Sequence, residues 1–120
     1  MFFSADEFKC KCSNKSCEGK TTKIDAVLLQ ALEELRAKFK KPLIVTSGWR
    51  CAEHNRAVKG AKSSQHRLGR AVDIVPVHLK DLPALQELAR ADGRFVGIGT
   101  HRAFLHLDVR DSEERVEWLY

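Results

Sequence analysis

Apolar residues recur at three- and four-residue spacing through Ile24, Val27, Leu28, Ala31, Leu32, Leu35 and Phe39, which predicts an amphipathic helix. Thr22 with Asp25 three positions on resembles a capping box at its start. Lys38, Lys40 and Lys41 suit the negative end of the helix dipole, and Pro42 stops the helix. The pattern then changes period. LIVTS (43–47) is short, apolar and β-branched, a buried strand; Gly48 turns the chain, and CAEHNRAV (51–58) predicts a short helix. Residues 59–70, rich in Gly, Ser and Lys, predict a loop, and AVDIVPV (71–77) a second strand with Pro76 at its end or on an edge. Leu82, Leu85, Leu88 and Ala89 share one face of a further helix, capped by Asp81, with Pro83 in its first turn and Asp92-Gly93 at its end. FVGIG (95–99) and FLHLDVR (104–110) predict strands joined by a tight turn, and RVEWLY (115–120) a closing strand or cap. Residues 1–20 carry no such period. The order α-β-α-β-α-β-β suggests an α+β fold with a small, mainly antiparallel sheet and helices on one face.

At 120 residues, with 43% hydrophobic residues and a mean hydropathy of −0.34, the chain suits one soluble domain over 1–120 with a cysteine-bearing N-terminal segment of about 1–20. No apolar run approaches the ~20 residues that cross a bilayer, so membrane insertion is not expected. MFFSADEFKCKC lacks the basic, apolar and small-residue regions of a signal peptide, so synthesis in the cytoplasm is expected. The net charge of +5 suits polyanions, yet the basic residues are scattered and no nucleic-acid module is present. No nucleic-acid partner is expected, and a monomer is.

Cys10, Cys12 and Cys17 lie close together and Cys51 far off. This spacing fits a zinc finger or ribbon poorly and leaves a structural zinc, disulfides and simple thiols all open. In any state the cysteines are expected to tie the N-terminal segment to the start of WRCAEHN.

The chemistry concentrates in SSQHRLGRAVDI (63–74) and FLHLDVR. His66, Asp73 and His106 offer two imidazoles and a carboxylate, the ligand count of a catalytic zinc site with an open position. Zinc there would lower the pKa of a water to ~7 and polarise a carbonyl. Fe(II) binds similar triads, though nothing else in the chain favours an oxygenase. Gly69 lets His66 fold back towards Asp73, and strand alternation puts Phe104, His106 and Asp108 on one face. Asp73, in an apolar run, needs a partner or a metal.

SSQHRLGRAVDI resembles the S-x-H-x-x-G-x-A-x-D motif of peptidase family M15, the zinc D-alanyl-D-alanine carboxypeptidases, through Ser64, His66, Gly69, Ala71 and Asp73. FLHLDVR is similar to the second motif, in which His106 is the third ligand, and IVTSGWRCAEHN to the segment that carries an arginine at Arg50. The resemblance is nearest to small phage and bacterial members with a cysteine-bearing N-terminus. It implies a hedgehog/DD-peptidase-like fold, one catalytic Zn²⁺, and hydrolysis of a peptide bond in peptidoglycan stem peptides or cross-links, as in a phage or prophage endolysin. Such an enzyme would act on the cell wall after release or as a virion component. Arg50 would bind the scissile carbonyl or a substrate carboxylate, with Ser64 beside it.

Many relatives have an acid three positions before the last histidine, where this chain has Ala103; others have a histidine two before it, where Phe104 stands. Asp108 is therefore the first candidate for the general base, or else a partner that orients His106, and His101 is the second. The missing acid also leaves open a non-catalytic zinc-binding wall or signalling module of the same fold. A cysteine-zinc nucleic-acid binder, resting only on charge and CKCSNKSC, is the third reading.

Overall fold

The computed structural model describes residues 1–11, 24–60 and 64–120. Cys12, Cys17 and Thr22 lie outside them. Helix α1 spans Ala26–Phe39 and opens on Asp25 itself, whose carboxylate accepts the amides of Val27 (2.8 Å) and Leu28 (3.2 Å). It ends at Lys40, which takes a left-handed conformation (φ 64°) and returns its amide to Arg36. Strand β1 is Leu43–Ser47, α2 Ala52–Ala57, β2 Ala71–Pro76, α3 Leu82–Ala91, β3 Gly97–Thr100, β4 Leu105–Asp108 and β5 Val116–Leu119. Three boundaries differ from expectation. Gln65–Leu68, within the expected loop, coils into a 3₁₀ turn capped by Ser64. Asp81 precedes α3 without capping it and instead pairs with Lys41 at 3.2 Å. The strand expected at 95–99 starts later and runs one residue further, as Gly97–Thr100, because Phe95 is used in the turn after α3. The strand expected at 104–110 is trimmed to Leu105–Asp108, with Arg110 used in bonds to the Asp108 side chain.

The five-stranded sheet has the order β1-β2-β4-β3-β5. Its first three pairings are antiparallel, and β5 returns parallel to β3 on the far edge. β2 therefore lies inside the sheet, and Pro76 is tolerated because it is the strand's last residue.

Alternation divides the sheet into unlike faces. Val72 and Ile74 of β2, Leu105 and Leu107 of β4 and Ile98 of β3 join one buried cluster with Leu28, Leu32 and Leu35 of α1 and Leu82, Leu85 and Ala89 of α3. The other face carries Asp73, His106 and Asp108. α2 packs against the His66 turn rather than with α1 and α3, so helices cover the apolar face and a short helix borders the polar one.

The N-terminal segment is held on this body. Phe2 and Phe3 donate their amides to Glu33 of α1 at 2.7 and 3.0 Å. Phe8 is fully buried, and its carbonyl accepts the Trp49 amide at 2.8 Å. The Phe8 backbone passes so close to Gly48 that a Cβ there would lie 2.6 Å from the Phe8 carbonyl oxygen.

Candidate metal centre and cleft

Sheet register builds the site. Asp73 on β2 pairs directly with His106 on β4, and Ala71 with Asp108, so strand pairing brings residues far apart in sequence onto one polar face. β1 bulges between Val45 and Ser47, and the Thr46 hydroxyl donates to the Asp73 carbonyl at 3.2 Å. His66 arrives from the 3₁₀ turn, whose end needs the left-handed Gly69 (φ 72°). The Arg50 amide bonds the His66 carbonyl at 3.0 Å, joining this turn to the segment after β1.

His66, Asp73 and His106 are all buried, and one ligand atom from each lies within 4.8 Å of the others. His66 Nε2 is 3.3 Å and His106 Nδ1 3.0 Å from the same oxygen, Asp73 Oδ1. The outer ring nitrogens are already used. His66 Nδ1 lies 2.8 Å from the Gly48 carbonyl, which can only accept, so that nitrogen donates. His106 Nε2 lies 2.7 Å from Asp108 Oδ2, a carboxylate paired with Arg110 at 2.7 Å. In their neutral forms both imidazoles therefore turn lone pairs towards a carboxylate oxygen. Three buried acceptors converging without a donor repel one another unless a cation or protons lie between them. This donor set fits a divalent ion of the zinc type, and each histidine has the outer hydrogen bond that metal-binding imidazoles use.

The protonation tendencies agree. Burial pushes Asp73 up, but hydrogen bonds from His106 and His66 outweigh it and hold the carboxyl well below the usual range. Burial would lower His106, yet its bonds to Asp108 and Asp73 raise it above an ordinary histidine. Asp108, raised by burial, is brought far down by His106 and Arg110.

A cleft of about 510 Å³ opens over this centre, with Arg50, Lys59, Ser64, Phe104, Trp118 and Tyr120 on its walls. Arg50 reaches Asp73 Oδ2 through Nη2 at 3.5 Å. Ser64 is at the cleft, its hydroxyl accepting the His66 amide at 3.2 Å. Asp108 is fully buried beneath His106, held also by the Arg110 Nε at 2.9 Å, and does not line the cleft. His101 stacks on Phe104 with ring centroids 4.7 Å apart, and its Nδ1 accepts the Ala103 amide at 3.0 Å. It lines a neighbouring depression instead, between α3 and the end of β5. The Cys10 sulfur accepts the Cys51 amide at 3.3 Å, joining the N-terminal segment to the start of α2, and the Cys51 sulfur caps that helix.

Sequence reasoning passed over Trp118, Tyr120 and Asn55. Trp118 stands against the His106 ring at 5.1 Å in space that Gly99 leaves free. The glycine alternation in GIG was the available signal, since a strand glycine marks a close approach.

An α+β sheet with a buried His-Asp-His group at the foot of an open cleft defines a candidate divalent-metal protein. The family model described as Peptidase M15 matches residues 1–108, and the chain belongs to that family, one of zinc-dependent metallopeptidases. The match stops at the end of β4, so β5 with Trp118 lies beyond it. A search of curated proteins finds no match. Among the described residues no helix is long and apolar enough to cross a membrane.

Proposed function

We propose that this chain is a zinc-dependent peptidase that hydrolyses a peptide bond in peptidoglycan stem peptides or cross-links, in the manner of a phage or prophage endolysin. The observation that carries the reading is the convergence of His66 Nε2 and His106 Nδ1 on Asp73 Oδ1 with both outer ring nitrogens already bonded. Bound there, zinc supplies a Lewis acid for a carbonyl oxygen and makes a water more acidic near neutral pH. His66, Asp73 and His106 are its ligands. Asp108 acts by holding the His106 ring, since a fully buried carboxylate bonded to His106 and Arg110 has no path to a substrate proton. Arg50 offers its guanidinium to the scissile carbonyl or a substrate carboxylate, and Ser64 contributes a polar contact on the same wall. Phe104, Trp118 and Tyr120 give the peptide an apolar wall that displaces water.

One feature favours a second reading, a non-catalytic zinc-binding wall or signalling module. Asp73 is the sole carboxylate among the described residues lining the cleft. His101, in the next depression, would have to turn around the Phe104 ring to serve as base. Incubation with purified peptidoglycan, followed by mass spectrometry of the released fragments, separates the readings. New chelator-sensitive amino termini in stem peptides support the peptidase; wall binding without fragments supports the module. The fragment masses also name the bond.

A further inference from the structure

Among the described residues six polar or charged ones are buried, and of these Asn55 alone belongs neither to the candidate metal group nor to the sheet. It sits in α2 at 2% exposure, and its Oδ1 accepts from Arg50 Nη1 at 3.4 Å. Arg50 Nε donates to the Ser47 hydroxyl at 3.1 Å and Nη2 to Asp73. A guanidinium has five N–H donors. Among the described residues three are used by Ser47, Asn55 and Asp73, which leaves two, enough for a carboxylate or a developing oxyanion in the cleft that Arg50 lines.

Gly60 stands behind this contact. A Cβ there would overlap the Asn55 amide oxygen and come within 3.1 Å of Arg50 Nη1, while the Gly60 amide bonds the Asn55 carbonyl at 2.8 Å. The glycine therefore lets backbone close over the amide, which at 2% exposure has no room to turn aside.

We infer that Asn55, with Gly60 packed against it, is the positioning residue of Arg50: it fixes the guanidinium so that its free N–H groups face the substrate. The inference rests on the proposed peptidase reading for its kinetic consequence but not for its structural one. An arginine left to swing would lose the alignment that makes two parallel hydrogen bonds effective, and the cost would fall on substrate and transition state rather than on the metal.

The test uses ¹⁵N-labelled full-length protein, read by NMR at the Arg50 side chain and by kinetics on a stem-peptide substrate. In the wild type, hindered rotation should leave the Arg50 Nη signals resolved. Asn55→Ala and Gly60→Ala should collapse them into one averaged signal, and Asn55→Asp, which keeps an acceptor of the same shape, should restore them. The kcat/KM of Asn55→Ala and Gly60→Ala should fall about 10- to 100-fold. In an Arg50→Ala background, Asn55→Ala should cost less than about 2-fold more. Zinc content and the thermal midpoint check that each variant is folded and loaded, and should Gly60→Ala fail to fold, the two Asn55 variants decide alone. Arg50 signals unchanged in Asn55→Ala overturn the inference, as does an equal loss from Asn55→Ala whether or not Arg50 is present. If the wild type cleaves no stem peptide yet the Arg50 signals respond as expected, the peptidase reading fails and the assignment of Asn55 stands.

Discussion

His106 and Asp108 lie two residues apart on one face of β4, with Nε2 and Oδ2 separated by 2.7 Å, so one strand supplies both a ring of the candidate metal group and the carboxylate that holds it. Asp108→Asn keeps the shape but removes the charge that fixes the ring's tautomer. Zinc affinity, measured by competition with a chromogenic chelator, should fall about 10- to 100-fold. The variant should keep residual hydrolysis at saturating zinc, because Asp108 does not reach the cleft. Complete loss of turnover in a fully zinc-loaded variant would restore Asp108 as the general base.

Gly99 faces Trp118 across the parallel pair of β3 and β5, and a Cβ at Gly99 would lie 2.6 Å from the indole. Gly99→Ala should therefore destabilise the fold by about 1–3 kcal/mol, the usual cost of overpacking. The penalty should shrink in a Trp118→Ala background, where the space is open. Urea unfolding of the four proteins of this cycle checks it; equal costs in both backgrounds would mean that the strain lies elsewhere.

The stability of the metal-free protein should change with pH in a direction set by His106. Its folded pKa is raised: burial lowers it, but the bonds to Asp108 and Asp73 prevail. The stabilisation is then complete below the unfolded value of a histidine and is lost as pH rises through the folded value. Asp73 and Asp108, lowered by their histidine bonds against the effect of burial, act at the other end, and their contribution is lost only as pH falls through their depressed folded values. Without metal, thermal midpoints should therefore decline from mildly acid towards alkaline pH. With zinc the decline should vanish or reverse, because protons compete with the ion for the same lone pairs. Identical profiles with and without zinc would contradict this.

Much of this was legible in the sequence. The period of α1 and α3, the β-branched runs of β1 and β2 and the three candidate ligands His66, Asp73 and His106 were all visible, because helical spacing and the S-x-H-x-x-G-x-A-x-D pattern are local signals. What local pattern could not supply was register. Asp73 opposite His106 depends on pairing two strands whose facing residues are 33 positions apart, and the reading of Asp108 depended on whether it faced the cleft or the space under His106. Asn55 looked like any polar residue of a short helix, since its meaning comes from Arg50 on one side and Gly60 on the other. The Gly48 carbonyl that orients His66 is a backbone group and has no sequence signature at all.

The most direct measurement is zinc stoichiometry by isothermal titration of the metal-stripped protein, comparing the wild type with His66→Ala, Asp73→Ala and His106→Ala. Each substitution should remove one equivalent of tight zinc binding and leave any zinc held by the cysteines in place. An unchanged number of tight sites in all three variants would contradict the metal centre on which the proposed activity depends.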